Sequence, residues 1–98
     1  MVRKRYGYVH GPIIRLKIVW ATLTKLWIQW SGLQVDQPAS VDYWKSPDEG
    51  DPDGAQDYPA GDYADTVDDL QSNIVYTLAM RPKVFEHNTS NGAIMRTA

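Results

Sequence analysis

The chain has 98 residues, a net charge of −2 and no cysteine, which leaves room for one small domain and excludes disulfide staples and thiolate metal sites. Hydrophobic residues at 43% and charged residues at 22% lie close to globular averages and argue against wholesale disorder. A reducing, cytoplasmic setting is the expectation for such a cysteine-free chain.

The charge is unevenly spread. Residues 1–35 carry Arg3, Lys4, Arg5, Arg15, Lys17 and Lys25 and no acid. Residues 36–73 carry eleven acids against the single base Lys45. Adjacent blocks of opposite sign neutralise each other within a screening length of about 8–10 Å, so the asymmetry predicts internal attraction and does not require nucleic acid as a partner.

Along the chain, Met1–Pro12 holds the basic cluster Arg3–Arg5 and the breaker pair Gly11–Pro12, an irregular lead-in with Pro12 near a helix start. The absence of Ser before Ser31 argues against a transit peptide. Leu16, Val19, Trp20, Leu23, Trp27 and Trp30 then recur every three or four residues, with Arg15, Thr22, Lys25 and Gln29 opposite. This spacing predicts an amphipathic helix over Ile13–Ser31, ending at Gly32. Its charged and amide residues interrupt the apolar run, so no transmembrane helix is predicted.

Residues 34–62 contain Pro38, Pro47, Pro52 and Pro59 with three glycines among acids, and read as one long acidic irregular loop. A second helix is predicted over Asp65–Met80, with Val67, Leu70, Ile74, Val75 and Leu78 on one face, acids in the first turn and a Thr66/Asp69 capping box. Pro82 stops it. Beyond the apolar pair Val84–Phe85, the polar run Glu86–Gly92 reads as a turn, and Ala93–Ala98 as the opening of a third helix. The expected fold class is therefore all-α: two main helices, about 13–31 and 65–80, joined by the acidic loop in a single small or partial domain spanning 1–98. Trp20, Leu23 and Trp27 should pack toward Leu70, Ile74 and Leu78.

Few residues point to chemistry. Asp48, Glu49, Asp51 and Asp53 offer hard oxygen ligands, but an EF-hand started at Asp51 places Ala55 at the fifth position and Gln56 where the turn requires Gly, so a solvated acidic loop is the better reading. His10 and His87 stand apart from each other and from any nucleophile, which gives no triad. The indoles of the first third follow the apolar stripe and read as core before they read as a nucleic-acid or membrane surface. Asn88-Thr89-Ser90 fits the N-glycosylation pattern, which matters only for a secreted chain.

The segment Ser90-Asn-Gly-Ala-Ile-Met-Arg-Thr-Ala98 resembles a stretch of the ADP-ribosylglycohydrolase family that reads Asn-Gly-Ala, an apolar residue, Met-Arg and a small residue. The resemblance implies a fragment of a larger helical domain that cleaves the glycosidic bond to ADP-ribose with bound magnesium. Ser90, Asn91, Gly92, Ala93 and Arg96 would bind the ligand, Gly92 and Ala93 through main-chain N–H groups at a helix start. ADP-ribose or an ADP-ribosylated protein would be the partner. The family's paired-aspartate and Asp-x-Asp metal motifs are not found in their proper order, so the chain alone is expected to lack activity. The alternative from a different class is a small non-enzymatic interaction protein that docks a basic, Trp-rich amphipathic helix on a partner or an anionic surface.

Overall fold

A computed structural model describes residues 14–33, 37–83 and 89–98. The basic cluster Arg3–Arg5, His10, Pro12, Val84–Phe85, His87 and Asn88 lie outside the described residues. Seven strands follow in order: β1 (Arg15–Ala21), β2 (Leu26–Ser31), β3 (Ala39–Lys45), β4 (Gly54–Tyr58), β5 (Ala64–Val67), β6 (Val75–Pro82) and β7 (Ala93–Arg96). They form two antiparallel sheets, β1-β2-β5 and β4-β3-β6-β7.

β2 and β6 bury every second residue, because successive side chains of an extended chain point to opposite sides. Leu26, Ile28 and Trp30 of β2 point inward, as do Tyr76, Leu78, Met80 and Pro82 of β6. With Ile14, Leu16, Ala39, Val41, Tyr58, Val67 and Leu70 they make one core between the sheets. Burying a side chain of this size contributes about 1.5–3 kcal/mol. Tyr43 lies across Gly54, where any Cβ would collide with the phenol ring. The same ring meets Tyr76 edge-on at 5.9 Å, so the place of Gly54 in β4 is set by aromatic packing.

The all-α expectation is thus overturned. In place of a helix over 13–31 stand β1, a turn and β2. Apolar residues occupy so many of these positions that the 3.6-residue and two-residue periods both find matches, while β-branched and aromatic residues favour the strand. The turn itself is Thr22-Leu-Thr-Lys25, without Gly or Pro to mark it; the Lys25 N–H donates to Thr22 Oγ1 at 3.2 Å, and the Thr22 N–H to the Lys25 carbonyl at 2.9 Å.

In place of a helix over 65–80 stand the end of β5, a connection and β6. Asp69 and Asn73 both adopt positive φ, at 60° and 57°, a left-handed conformation that no right-handed helix passes through. The Thr66 hydroxyl donates to Asp68 Oδ1 at 2.7 Å, so the Thr66/Asp69 capping box does not form. The acidic loop expected over 34–62 contains the β3–β4 hairpin, its prolines punctuating the strands: Pro47 and Pro52 lie in the connection and Pro38 and Pro59 flank it. Ala93 begins β7, where a third helix was expected.

Two amides close the sandwich at its opposite edges. The Asn91 side chain accepts from the Leu16 N–H at 2.9 Å and donates to the Leu16 carbonyl at 2.9 Å, which joins the start of β7 to β1. Across the molecule the Gln56 amide donates to the Thr66 carbonyl at 2.9 Å and accepts from the Asp68 N–H at 3.0 Å, which joins β4 to β5. Each amide pairs with backbone groups that a neighbouring strand would otherwise satisfy. At one end, the Gln71 N–H donates to the buried Tyr76 hydroxyl at 2.8 Å, and Thr97 Oγ1 accepts from the Ile74 N–H at 3.1 Å and donates to the Gln71 carbonyl at 2.6 Å.

Candidate functional site

The outer face of the three-stranded sheet carries large aromatics in solvent. Trp20 pairs with Trp27 across β1 and β2, and Lys17 with Gln29. Trp20 is 61% exposed and Trp27 41% exposed, while Trp30, three residues further along β2 on the inner side, is 6% exposed. The rings of Trp20 and Trp27 lie 6.1 Å apart at 33°, within the range of favourable aromatic pairing. The irregularity between Ile18 and Trp20 adds a residue to β1, and Val19 as well as Trp20 is exposed there; such bulges re-aim side chains. Leu23, at 64% exposure, crowns the adjoining turn.

Arg15 and Lys17 stand on this same face, exposed and without an ion pair among the described residues. Lys25 reaches only a loose contact with Asp68 at 3.9 Å. The face therefore offers flat aromatic surface and unmatched positive charge together. The expected packing of Trp20, Leu23 and Trp27 toward Leu70, Ile74 and Leu78 does not occur, because the strand period sends these side chains to the side opposite Leu26, Ile28 and Trp30. Sequence reasoning took the indoles as core. The alternation Leu26-Trp27-Ile28-Gln29-Trp30 was the available signal that Trp27 and Trp30 lie on different faces.

The outer face of the four-stranded sheet is differently settled. Arg81 Nε donates to Asp42 Oδ2 at 3.0 Å, and Lys83 Nζ to Asp57 Oδ2 at 2.8 Å. Asp57 is held below the ordinary aspartate range, first by its bond to Lys83 and then by Ser40. Trp44 donates its indole N–H to the Gly50 carbonyl at 3.0 Å. Together with Asp48, Glu49, Gly50 and Thr77 it lines a shallow, open hollow.

The residues proposed from the sequence as ligand-binding fall at β7 and just before it. Ser90 is buried; its hydroxyl accepts from the Met80 N–H at 2.8 Å and donates to the Asn91 carbonyl at 2.8 Å. Both polar atoms of Asn91 are taken by Leu16. Ala93 pairs with Leu78 in the sheet, and Gly92 lies in the chain leading to it, so neither opens a helix. Arg96 is exposed and reaches Asn73 Oδ1 at 3.4 Å. The segment thus brings Ser90 and Asn91 together as ties between strands.

Carboxylates meet in pairs. Asp48 is raised from its ordinary value chiefly by its hydrogen bond with Asp53, while Asp53 is lowered chiefly because it accepts the Lys45 N–H at 2.6 Å. Asp62 is raised chiefly by its hydrogen bond with Asp65. Among the described residues no three His, Cys, Asp or Glu side chains are grouped to hold a metal ion. A hard divalent cation such as the magnesium implied by the family resemblance wants several oxygen ligands.

The two antiparallel sheets form a β-sandwich, and solved structures of low sequence identity share this fold. The FN1-FN3 domains of chicken CNTN1 match over 95% of this chain and 34% of that one, at a TM-score of 0.67 and 13% identity. A myokine matches over 89% and 95%, at a TM-score of 0.63 and 11% identity. The sensor domain of the anti-sigma factor RsgI4 from Pseudobacteroides cellulosolvens matches over 91% and 97%, at a TM-score of 0.61 and 16% identity. No family model and no curated protein matches the chain. These likenesses concern the fold. They overturn the hydrolase reading: the resemblance to ADP-ribosylglycohydrolases implied a piece of an all-α catalytic domain, and the nine residues that carried it belong to a β-strand and its approach. The alternative of a docking helix fails for the same reason, since β1 and β2 stand where that helix was expected. Among the described residues no helix is long and apolar enough to cross a membrane.

Proposed function

We propose that this chain is a non-catalytic recognition module whose docking face is the outer side of the β1-β2-β5 sheet, and that it receives an acidic protein segment there. The observation that carries this reading is the exposed Trp20–Trp27 pair beside Arg15 and Lys17, which have no ion pair among the described residues. Exposed aromatics that contribute little to the core mark interaction surfaces, and Trp and Arg are enriched among the residues that dominate binding energy. The flanking bases favour carboxylates, steer their approach and reject cationic partners.

The test is a panel of acidic, basic and neutral peptides titrated at low salt into the isotopically labelled chain, read by the indole and amide NMR signals. Acidic peptides are expected to move the Trp20, Trp27 and Lys17 signals and to lose affinity in the Trp20→Ala/Trp27→Ala double variant. A response equal for basic and acidic peptides, or one that persists in the double variant, defeats the reading.

A further inference from the structure

The same chain carries a segment with the chemistry this face calls for. The β3–β4 connection, Ser46-Pro-Asp-Glu-Gly-Asp-Pro-Asp53, is exposed along its whole length and holds four acids, two prolines and no base. Glu49 and Asp51 have no partner among the described residues, whereas Asp48 and Asp53 hydrogen-bond each other and Asp53 also accepts the Lys45 N–H. The tip belongs to the four-stranded sheet, and the basic aromatic face to the outside of the three-stranded one.

We propose that the face of one copy receives the Ser46–Asp53 tip of a second copy, so that the chain associates with itself head to tail; this rests on the docking face proposed above and names its partner. Charge complementarity favours it, since among the described residues Arg15 and Lys17 are cations without an ion pair and Glu49 and Asp51 anions without one. Shape and polarity add to it: proline rings, rigid and without an N–H, dock on aromatic-lined surfaces at low entropic cost. The contact joins two different patches, so it is heterologous and grows into chains or rings rather than stopping at a symmetric dimer. Both patches are wet and charged, so the association is weak and salt-sensitive.

Sedimentation equilibrium on the whole chain at low salt tests this. The mean mass is expected to climb past that of a dimer as the protein approaches about 1 mM, the range of weak contacts, and to return to the monomer in 1 M salt. Arg15→Glu/Lys17→Glu and Glu49→Lys/Asp51→Lys should each be monomeric alone. Mixed, they should co-assemble into alternating chains or rings, because the native tip of the first fits the native face of the second and the two reversed patches are complementary as well. A wild type that stays monomeric at low salt, or a mixture that does not pair although both variants keep the wild-type circular dichroism, overturns the proposal. If the wild type stays monomeric but acidic peptides still bind through Trp20 and Trp27, self-association alone is refuted and the recognition face stands. If acidic peptides fail as well, both are refuted.

Discussion

The two outer faces of the sandwich use the same kinds of residue to opposite ends. On the four-stranded sheet the charges pair within the molecule, Asp42 with Arg81 and Asp57 with Lys83, and the Trp44 indole N–H is tied to Gly50. On the three-stranded sheet Trp20 and Trp27 form a tilted pair in solvent, and Arg15 and Lys17 have no ion pair among the described residues. A satisfied surface gains little from a partner, because new contacts must replace existing ones. An unsatisfied one keeps its interaction energy for binding.

The sharpest way to break the comparison lies within β2. Trp30→Ala empties a core position packed on Tyr58 at 5.2 Å and should cost about 3–5 kcal/mol in chemical denaturation. Trp27→Ala on the outer face should cost no more than about 0.5–1.5 kcal/mol, the worth of an aromatic pair. A helix would place the two indoles on one stripe and make their costs alike, so comparable losses would contradict the sandwich itself.

Next comes the edge that keeps the faces apart. Asn91→Ala leaves the Leu16 N–H and carbonyl without their partner and should lower stability by about 1–3 kcal/mol, with faster hydrogen exchange along β1. Tyr76→Phe removes the acceptor of the Gln71 N–H and should cost about 0.5–1.5 kcal/mol by thermal or denaturant unfolding. Lys17→Glu, on the open face, should change stability by less than about 0.5 kcal/mol while weakening capture of acidic peptides.

The smallest effect concerns pH. Asp57 is depressed by Lys83, so its contribution is present above the ordinary aspartate range and is lost as acid protonates it below that range. Asp62 is raised by its bond to Asp65; its contribution is present in acid and is lost as pH rises through its folded value. The two oppose each other. Asp57→Asn should therefore make unfolding less acid-sensitive, and Asp62→Asn more so, in denaturant titrations at pH 3 to 6.

The sequence carried more of the fold than its helical reading suggests. Val75–Pro82 is buried at every second residue, and its short length with Val75, Tyr76 and Thr77 suits a strand. The helix reading prevailed because Val67, Leu70, Ile74, Val75 and Leu78 also sit three or four apart. Nothing in the one-letter pattern shows that Asp69 and Asn73 turn left-handed between two strands. In the same way the acids of residues 34–62 hid the period-two run of β3, since Asp42 and Lys45 are charged and yet sit in a ladder with Ala79 and Tyr76.

What the sequence determined alone is local: the absence of cysteine, the breakers that bound its segments, and the separation of bases from acids. Those follow from residue identity, which does not depend on the fold. Which indole is buried, which charges find partners and whether the Asn91 amide faces a ligand or a strand were decided by tertiary structure. Each depends on the period of the backbone and on contacts between residues as far apart as Leu16 and Asn91, and only sheet formation sets both.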